Sequence, residues 1–440
     1  MNITDPVWRN SHAWPERVAV LFDGHTVTYR ALRQTTERVA ARLTAAGVER
    51  HDVVGLGLAN PLAYLVLVLA IARLGAIVTP FKPHWPAETR QELPRRNRVR
   101  WLVLDDPAGA VAAVDAGITC LAGRDLLAAG GGFGRPAPLL SAESGGDDCW
   151  LIALSSGTTG VYKSIPQTHA RSALAWTMVT DGADEQPDRV LVFVDLAATM
   201  GLGAAMRQLY VGGAVVLTRN LRPASVLETI KRDQPTRLVT STGNMTDLVR
   251  FAEQAEPASR SACASLKSVS VTGSAVPPAL RVAITTHICP NLQIPYGATE
   301  TGRLATATME SLKLHPASAG RIHPWTQAQA VDDQHRVLPP GQQGALRFRT
   351  PFMAEGYLGD PQADARTFRE GWCYTGDTGR IDAAGYLTLG ARTDHVLNLG
   401  GRKLDPARIE RVLDAQPGVR ESVVVVLERA GGKPDLVAVV

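Results

Sequence analysis

Of the 440 residues, 45% are hydrophobic and 20% are charged, and 46 Lys+Arg against 42 Asp+Glu leave a formal net charge of +4. That length supports a large core and more than one domain, and the composition suits a soluble globular protein. The small, scattered charge argues against a nucleic-acid partner. The one dense basic run, PRRNRVR from Pro94 to Arg100, reads as solvated surface. Five cysteines without a CxxC pair fit reduced thiols better than disulfides or zinc. The N-terminus, MNITDPVWRN, lacks a signal-peptide pattern, and the most apolar run, Tyr64 to Val78, is interrupted by Arg73 and is too short for a bilayer. The expectation is a cytoplasmic protein with no membrane insertion.

In chain order, residues 17–22 and 26–29 alternate like strands around Asp23-Gly24, a hairpin signal. Residues 31–46 have helical apolar spacing and stop at Gly47. VVGLGL from Val53, a helix to about Leu74 and IVTP from Ile77 make a βαβ unit, and a helix and the strand WLVL from Trp101 follow. Residues 128–146, rich in Gly, Pro and Ala, read as a loop. Further strands are expected at 190–194, 214–218, 237–240, 268–272 and 292–296, with helices between several of them. Ser225 to Glu228 reads as a capping box, and 277–287 as a helix with proline early, where it is tolerated. Such alternation argues for parallel sheets covered by helices, which bind ligands beyond the carboxyl ends of their strands. From about Pro339 glycine-punctuated short strands take over (345–349, 386–390, 395–399), followed by a helix at 406–413 and a strand at 422–427.

The stretch LIALSSGTTGVYKSIPQTH, Leu151 to His169, carries the first chemistry. An apolar run that reads as a buried strand leads into Ser155, Ser156, Gly157, Thr158, Thr159 and Gly160, and Lys163 follows. Glycines let the backbone approach a ligand, while hydroxyls, main-chain N–H groups and a lysine suit phosphate oxygens. A flexible Ser/Gly linker is the plainer alternative. The GxxxxGK[ST] pattern fails here, because Tyr162 stands where it needs glycine.

The loop resembles the phosphate loop of the adenylate-forming superfamily, which includes acyl- and aryl-CoA synthetases, adenylation domains of peptide synthetases and luciferases. That family writes SSGTTG, any residue, Pro-Lys, then Thr-His; here Tyr162 replaces the proline before Lys163, and Thr168-His169 follow. YGATETG from Tyr296 resembles the family's YGxTE, which implies Tyr296 on adenine, Thr299 at the α-phosphate and Glu300 on Mg²⁺, with Gly273, Ser274, Gly297 and Ala298 also lining the ATP site. GWCYTGD, ending at Asp377, is similar to YxTGD, whose aspartate accepts from the ribose hydroxyls. LGARTD resembles GRxD, which implies Arg392 on ribose or phosphate and Asp394 as a hinge. NLGGRKLDP with Ile409-Glu410 matches a further family pattern, in a form more typical of acyl and aryl acid ligases.

The implied fold is α/β. A large N-terminal domain of parallel-type sheets covered by helices (1–391) contains a smaller β-rich subdomain from about 339; a hinge (392–395) and a truncated α+β C-terminal lobe (396–440) follow. The implied activity is ATP- and Mg²⁺-dependent conversion of a small-molecule carboxylic acid to an acyl-adenylate, then a thioester on coenzyme A. The alternative acceptor is the phosphopantetheine of an acyl carrier protein. Lys163, Thr299, Glu300 and Arg392 are the expected catalytic residues. By alignment on Gly213-Ala214, the aspartate of amino-acid-activating domains falls at Met200 and a histidine common in acyl-CoA ligases at Ala198. Ala197, Ala198, Thr199, Met200, Gly201, Thr242, Gly243, Gly273 and Ser274 then line a small, mostly neutral acid pocket, which favours an acid without a free α-amino group. The sequence ends at Val440, soon after Asp394, and Lys433 does not match the lysine the family carries in its C-terminal lobe. The expectation is a shortened piece or a natively truncated chain, slow at adenylation; a non-catalytic nucleotide-binding relic is the reading from another class.

Overall fold

The computed structural model describes residues 1–107, 117–128, 145–156, 162–179, 188–254, 262–392, 397–399, 402–404, 406–414, 416, 418–419, 422–427 and 435–440. The chain divides into two units, Met1–Arg303 with Pro351–Asp364 and Leu304–Thr350 with Ala365–Val440.

The first unit holds two sheets built mainly from parallel strands. Its strands are β1 (Val18–Phe22), β2 (His25–Thr28), β3 (Val53–Gly57), β4 (Ile77–Pro80), β5 (Val99–Leu104), β6 (Thr119–Ala122), β7 (Cys149–Ser156), β8 (Tyr162–Thr168), β9 (Arg189–Phe193), β10 (Ala214–Leu217), β11 (Arg237–Ser241), β12 (Ser268–Thr272) and β13 (Leu292–Ala298). One sheet runs β6-β5-β3-β4-β7-β8, with β8 antiparallel at its edge. The other includes β13-β12-β11-β9-β10-β1, all parallel, with β2 closing a hairpin on β1. Continuous apolar runs such as Val53–Gly57 are buried along their length, as parallel strands covered on both faces must be. The helix Pro61–Arg73 is apolar all round because it is core: Tyr64 to Ala72 are all buried, and the Asn60 side chain caps it by accepting from the Ala63 N–H at 3.0 Å. Val53, Phe81, Trp85, Leu93, Leu102 and Ile152 pack together against the first sheet.

In the second unit β14 (Gly302–Thr308), β15 (Gly320–Ile322), β16 (Gln327–Val331), β17 (Gly344–Arg349), β18 (Phe368–Arg369), β19 (Trp372–Ile381) and β20 (Tyr386–Arg392) pair antiparallel. Two hairpins follow, β21 (Leu397–Leu399) with β22 (Arg402–Leu404) and β23 (Val423–Leu427) with β24 (Asp435–Val439). The α/β class with an antiparallel, β-rich part is therefore as expected from the sequence.

Two local readings change, and one strand is added. Tyr162–Thr168 forms strand β8, antiparallel to β7, which itself takes in Ser155 and Ser156. Ser225 is inside the helix Pro223–Asp233, which starts at Pro223 with Arg222 as its N-cap and no side-chain cap, so there is no capping box. Proline at the first helical position supplies the φ that starts the helix two residues earlier. Arg96 of the basic run is largely buried, with a side chain 14% exposed. Among the described residues, no helix is long and apolar enough to cross a membrane.

Candidate active site

The site is built from the ends of β7, β8 and β13. Ser155 on β7 is directly opposite Lys163 on β8, and cross-strand partners in an antiparallel pair point to one face. Ser155 Oγ donates to Glu300 Oε1 at 3.2 Å, and the Tyr357 hydroxyl donates to the same oxygen at 2.8 Å. Lys163 Nζ lies 4.7 Å from the Tyr357 ring centroid, within cation–π range. Two hydroxyls, an alcohol and a phenol, thus hold the Glu300 carboxylate, and the Lys163 ammonium lies against the ring of the phenol. Tyr357 is buried, and the other three are half-buried.

Glu300 is presented by a tight turn. β13 ends at Ala298, Thr301 N donates to the Ala298 carbonyl at 3.2 Å, and Ala298 N donates to Thr301 Oγ1 at 3.2 Å. Thr301 is fully buried, so the turn is anchored and Thr299 and Glu300 sit on its outer side. Gly297 is required by close approach: a Cβ there would fall 2.1 Å from the Gly302 carbonyl oxygen. Ala354 N donates to the Glu300 carbonyl at 2.7 Å, which brings the Phe352–Leu358 segment, and with it Tyr357, against the turn.

The expected acid-pocket residues lie at the carboxyl ends of adjacent parallel strands. Ala198 caps the helix Thr199–Tyr210 that follows β9, with Met200 and Gly201 in its first turn. Gly201 is tightly packed, since a Cβ would meet the Asp195 carbonyl oxygen at 2.5 Å. Thr242 opens the helix after β11 and donates through Oγ1 to the Ser274 carbonyl at 3.1 Å, tying the ends of β11 and β12. Gly243 and Gly273 face open space, a Cβ meeting nothing within 4 Å, and Gly273 adopts φ +102°. Asp195 is paired with Lys82 at 2.9 Å. Tyr296 lies near the end of β13, the next strand. This is the edge where open α/β sheets hold ligands.

In the second unit Asp377 on β19 is paired in register with Arg392 on β20, and Arg392 Nη1 is 3.4 Å from Asp377 Oδ1. Ser156 ends β7. Gly157, Thr158, Thr159, Gly160 and Asp394 lie outside the described residues.

Just beyond β8, His169 is fully buried. Burial above all pushes its imidazole down to about 4; Asp148 and Asp5 act in the opposite direction, and the N-terminal amine acts with burial. Its Nδ1 accepts from the Ile3 N–H at 3.1 Å, which fixes the neutral tautomer with the proton on Nε2. Thr168, beside it, caps the following helix by accepting from the Arg171 N–H at 3.3 Å.

Tyr357 is the participant that sequence reasoning did not assign. A residue 57 positions from Glu300 has no spacing signal that reports the contact. For a divalent ion, Glu300 has the right chemistry: both protein donors go to Oε1, and Mg²⁺ takes one or two carboxylates together with phosphate oxygens. Among the described residues there is no group of three or more His, Cys, Asp or Glu that could hold a metal by protein ligands alone.

Residues 7–358 match the family model described as AMP-binding enzyme. The chain is 29% identical over 458 aligned positions to an indoleacetate–CoA ligase of Aromatoleum aromaticum, covering 97% of this chain and 85% of that protein. It is 27% identical to the fatty acid–[acyl-carrier-protein] ligase ScoC of Streptomyces coeruleorubidus, covering 96% and 82%. In fold it is similar to the o-succinylbenzoate CoA synthetase of Bacillus subtilis solved with its acyl-adenylate intermediate, with a TM-score of 0.86, 22% identity and 98% and 87% of the two chains covered. The chain belongs to the AMP-binding, adenylate-forming family of enzymes.

Proposed function

We propose that this enzyme activates a small-molecule carboxylic acid with ATP and transfers the acyl group to the thiol of coenzyme A. The observation that carries the reading is Glu300, held by Ser155 and by Tyr357, whose ring lies against Lys163, at the carboxyl edge of the parallel strands, in a chain of this family. In the first step a carboxylate oxygen bonds to the α-phosphorus, and the bond from that phosphorus to the bridging oxygen breaks to release pyrophosphate. In the second, the thiol adds to the acyl carbonyl and AMP leaves. Catalysis of this kind is mainly positioning and charge neutralisation.

Lys163 and the loop from Ser155 to Gly160 take the β- and γ-phosphates in this reading. Tyr296 takes adenine, Thr299 the α-phosphate, and Asp377 with Arg392 the ribose and its phosphate. Gly273, Ser274, Gly297 and Ala298 supply close backbone. Glu300 is the residue to hold Mg²⁺, which would supply charge neutralisation at the phosphate oxygens. The Bacillus subtilis o-succinylbenzoate synthetase, solved with ATP and a magnesium ion, supports by analogy the pairing of ATP with Mg²⁺ in this reading. Residues 1–391 act as the adenylation core, and 392–395, with Asp394, as the hinge to the segment 396–440. Ala198, Thr199, Met200, Gly201, Thr242, Gly243 and Gly273 line a pocket for an acid without a free α-amino group. The open space at Gly243 and Gly273 supports that reading. The enzyme works in the cytoplasm, where ATP and coenzyme A are supplied.

A carrier-protein acceptor is the second reading, favoured by the similarity to ScoC, a fatty acid–[acyl-carrier-protein] ligase. The test offers preformed acyl-adenylate to coenzyme A and to a panel of phosphopantetheinylated carrier proteins. Rapid thioester formation on coenzyme A alone is expected, and exclusive loading of a carrier would replace the first reading by the second.

A further inference from the structure

We infer that Arg96, Trp85 and Tyr162 form a clamp that positions Lys163, which makes Arg96 a positioning residue for phosphate binding; this rests on the reading of Lys163 given above. Arg96 ends the helix Ala87–Arg96, and its side chain is largely buried while Arg95, Arg98 and Arg100 of the same run are exposed. Its Nη2 donates to the Tyr162 carbonyl and, at 3.4 Å, to Ser164 Oγ, so one guanidinium grips the residues on both sides of Lys163. Nη1 pairs with Glu92 one turn back, at 3.3 Å. The Tyr162 ring packs on Trp85 with centroids 5.2 Å apart, and Trp85 meets Phe81 edge-on at 6.0 Å in the core.

The need for such a clamp follows from topology. Among the described residues β8 is the last strand of its sheet, with β7 as its only strand neighbour, and residues that begin an edge strand fray readily. A proline before this lysine would fix φ; Tyr162 does not. Here the restraint comes from outside the strand. On the free edge, Leu358 N donates to the Ser164 carbonyl at 2.8 Å. Gly359, at φ +73°, lies against the Arg96 stem, where a Cβ would sit 3.1 Å from Cγ. Nη2 supplies the hydrogen bonds to both Tyr162 and Ser164 while Nη1 holds Glu92, whereas a lysine at 96 has a single nitrogen for all three partners.

The test compares Arg96→Gln, Arg96→Lys and, as a control in the same basic run, Arg98→Gln. Without nucleotide, amide hydrogen exchange over Tyr162–Thr168 should quicken about ten-fold in Arg96→Gln, less in Arg96→Lys and not in Arg98→Gln, as expected for losing hydrogen bonds from a charged donor. In acid-dependent ATP–pyrophosphate exchange, KM for ATP should rise about ten-fold in Arg96→Gln with KM for the acid within two-fold of wild type, and Arg96→Lys should recover part of the loss. Unchanged hydrogen exchange over that strand overturns the clamp. Quickened exchange with KM for ATP unmoved, or with both KM values raised equally, overturns the positioning role. Quickened exchange in a protein whose wild type activates no acid supports the clamp and refutes the functional reading instead.

Discussion

His169 gives the protein a predictable acid sensitivity. The ring is fully buried, its Nδ1 already accepts from the Ile3 N–H, and its Nε2 has no partner among the described residues. A second proton would therefore place an unsolvated cation in the core and break the contact that holds Ile3. The folded value is about 4 against an ordinary 6.5, so between those limits the unfolded chain binds a proton that the folded chain refuses. Because the folded value is the lower one, this contribution is fully present above pH 6.5 and is lost as pH falls from there towards about 4. It amounts to about 3 kcal/mol in all, and about 2 kcal/mol of it is gone by about pH 5. The perturbation is His169→Asn, which keeps an acceptor for Ile3 and cannot titrate. Urea unfolding at about pH 7.5 and about pH 5 should show the wild type losing about 2 kcal/mol more than the variant over that interval, whatever the variant's absolute stability. Equal losses in the two proteins would refute the reasoning.

Tyr357→Phe removes the 2.8 Å hydrogen bond to Glu300 but keeps the ring beside Lys163. A hydrogen bond to a charged group contributes about 1.5–3 kcal/mol, so kcat/KM for ATP should fall about 10- to 100-fold, with more Mg²⁺ needed for half-maximal rate; kinetics and a metal titration check this. Gly297→Ala pushes a Cβ onto the Gly302 carbonyl oxygen, a backbone atom that moves only if the turn opens. A loss of about 1–3 kcal/mol on thermal unfolding, together with weaker ATP binding, is expected. Asp377→Asn removes the charge on β19 that pairs with Arg392 of β20 and the carboxylate proposed to accept from the ribose. The preference for ATP over deoxy-ATP should shrink about ten-fold, read from competing pyrophosphate-exchange rates.

The parallel strands were legible because burial on both faces leaves continuous apolar runs such as Val190–Phe193 and Val215–Leu217, and because helical spacing lies between them. β8 was not: KSIPQT contains Pro166 and polar residues, a composition tolerated on an edge strand and indistinguishable in sequence from a loop. The role of Arg96 was hidden for a similar reason. A basic run is usually solvated, and only the fold shows which of its arginines turns inward. Ser155, Lys163 and Glu300 were readable as motif members, but their convergence depends on hairpin register and on a contact spanning 145 residues. Tyr357 completes the cluster through tertiary packing alone, which no local pattern encodes.

The central claim is acid activation at ATP, and its most direct test is carboxylate-dependent exchange of labelled pyrophosphate into ATP, without any thiol, across a panel of aryl and aliphatic acids and their α-amino counterparts. The account predicts Mg²⁺-dependent exchange with one or more acids lacking the α-amino group, reduced at least about ten-fold by Glu300→Gln. Exchange driven only by amino acids, or undiminished by loss of the Glu300 charge, would contradict it.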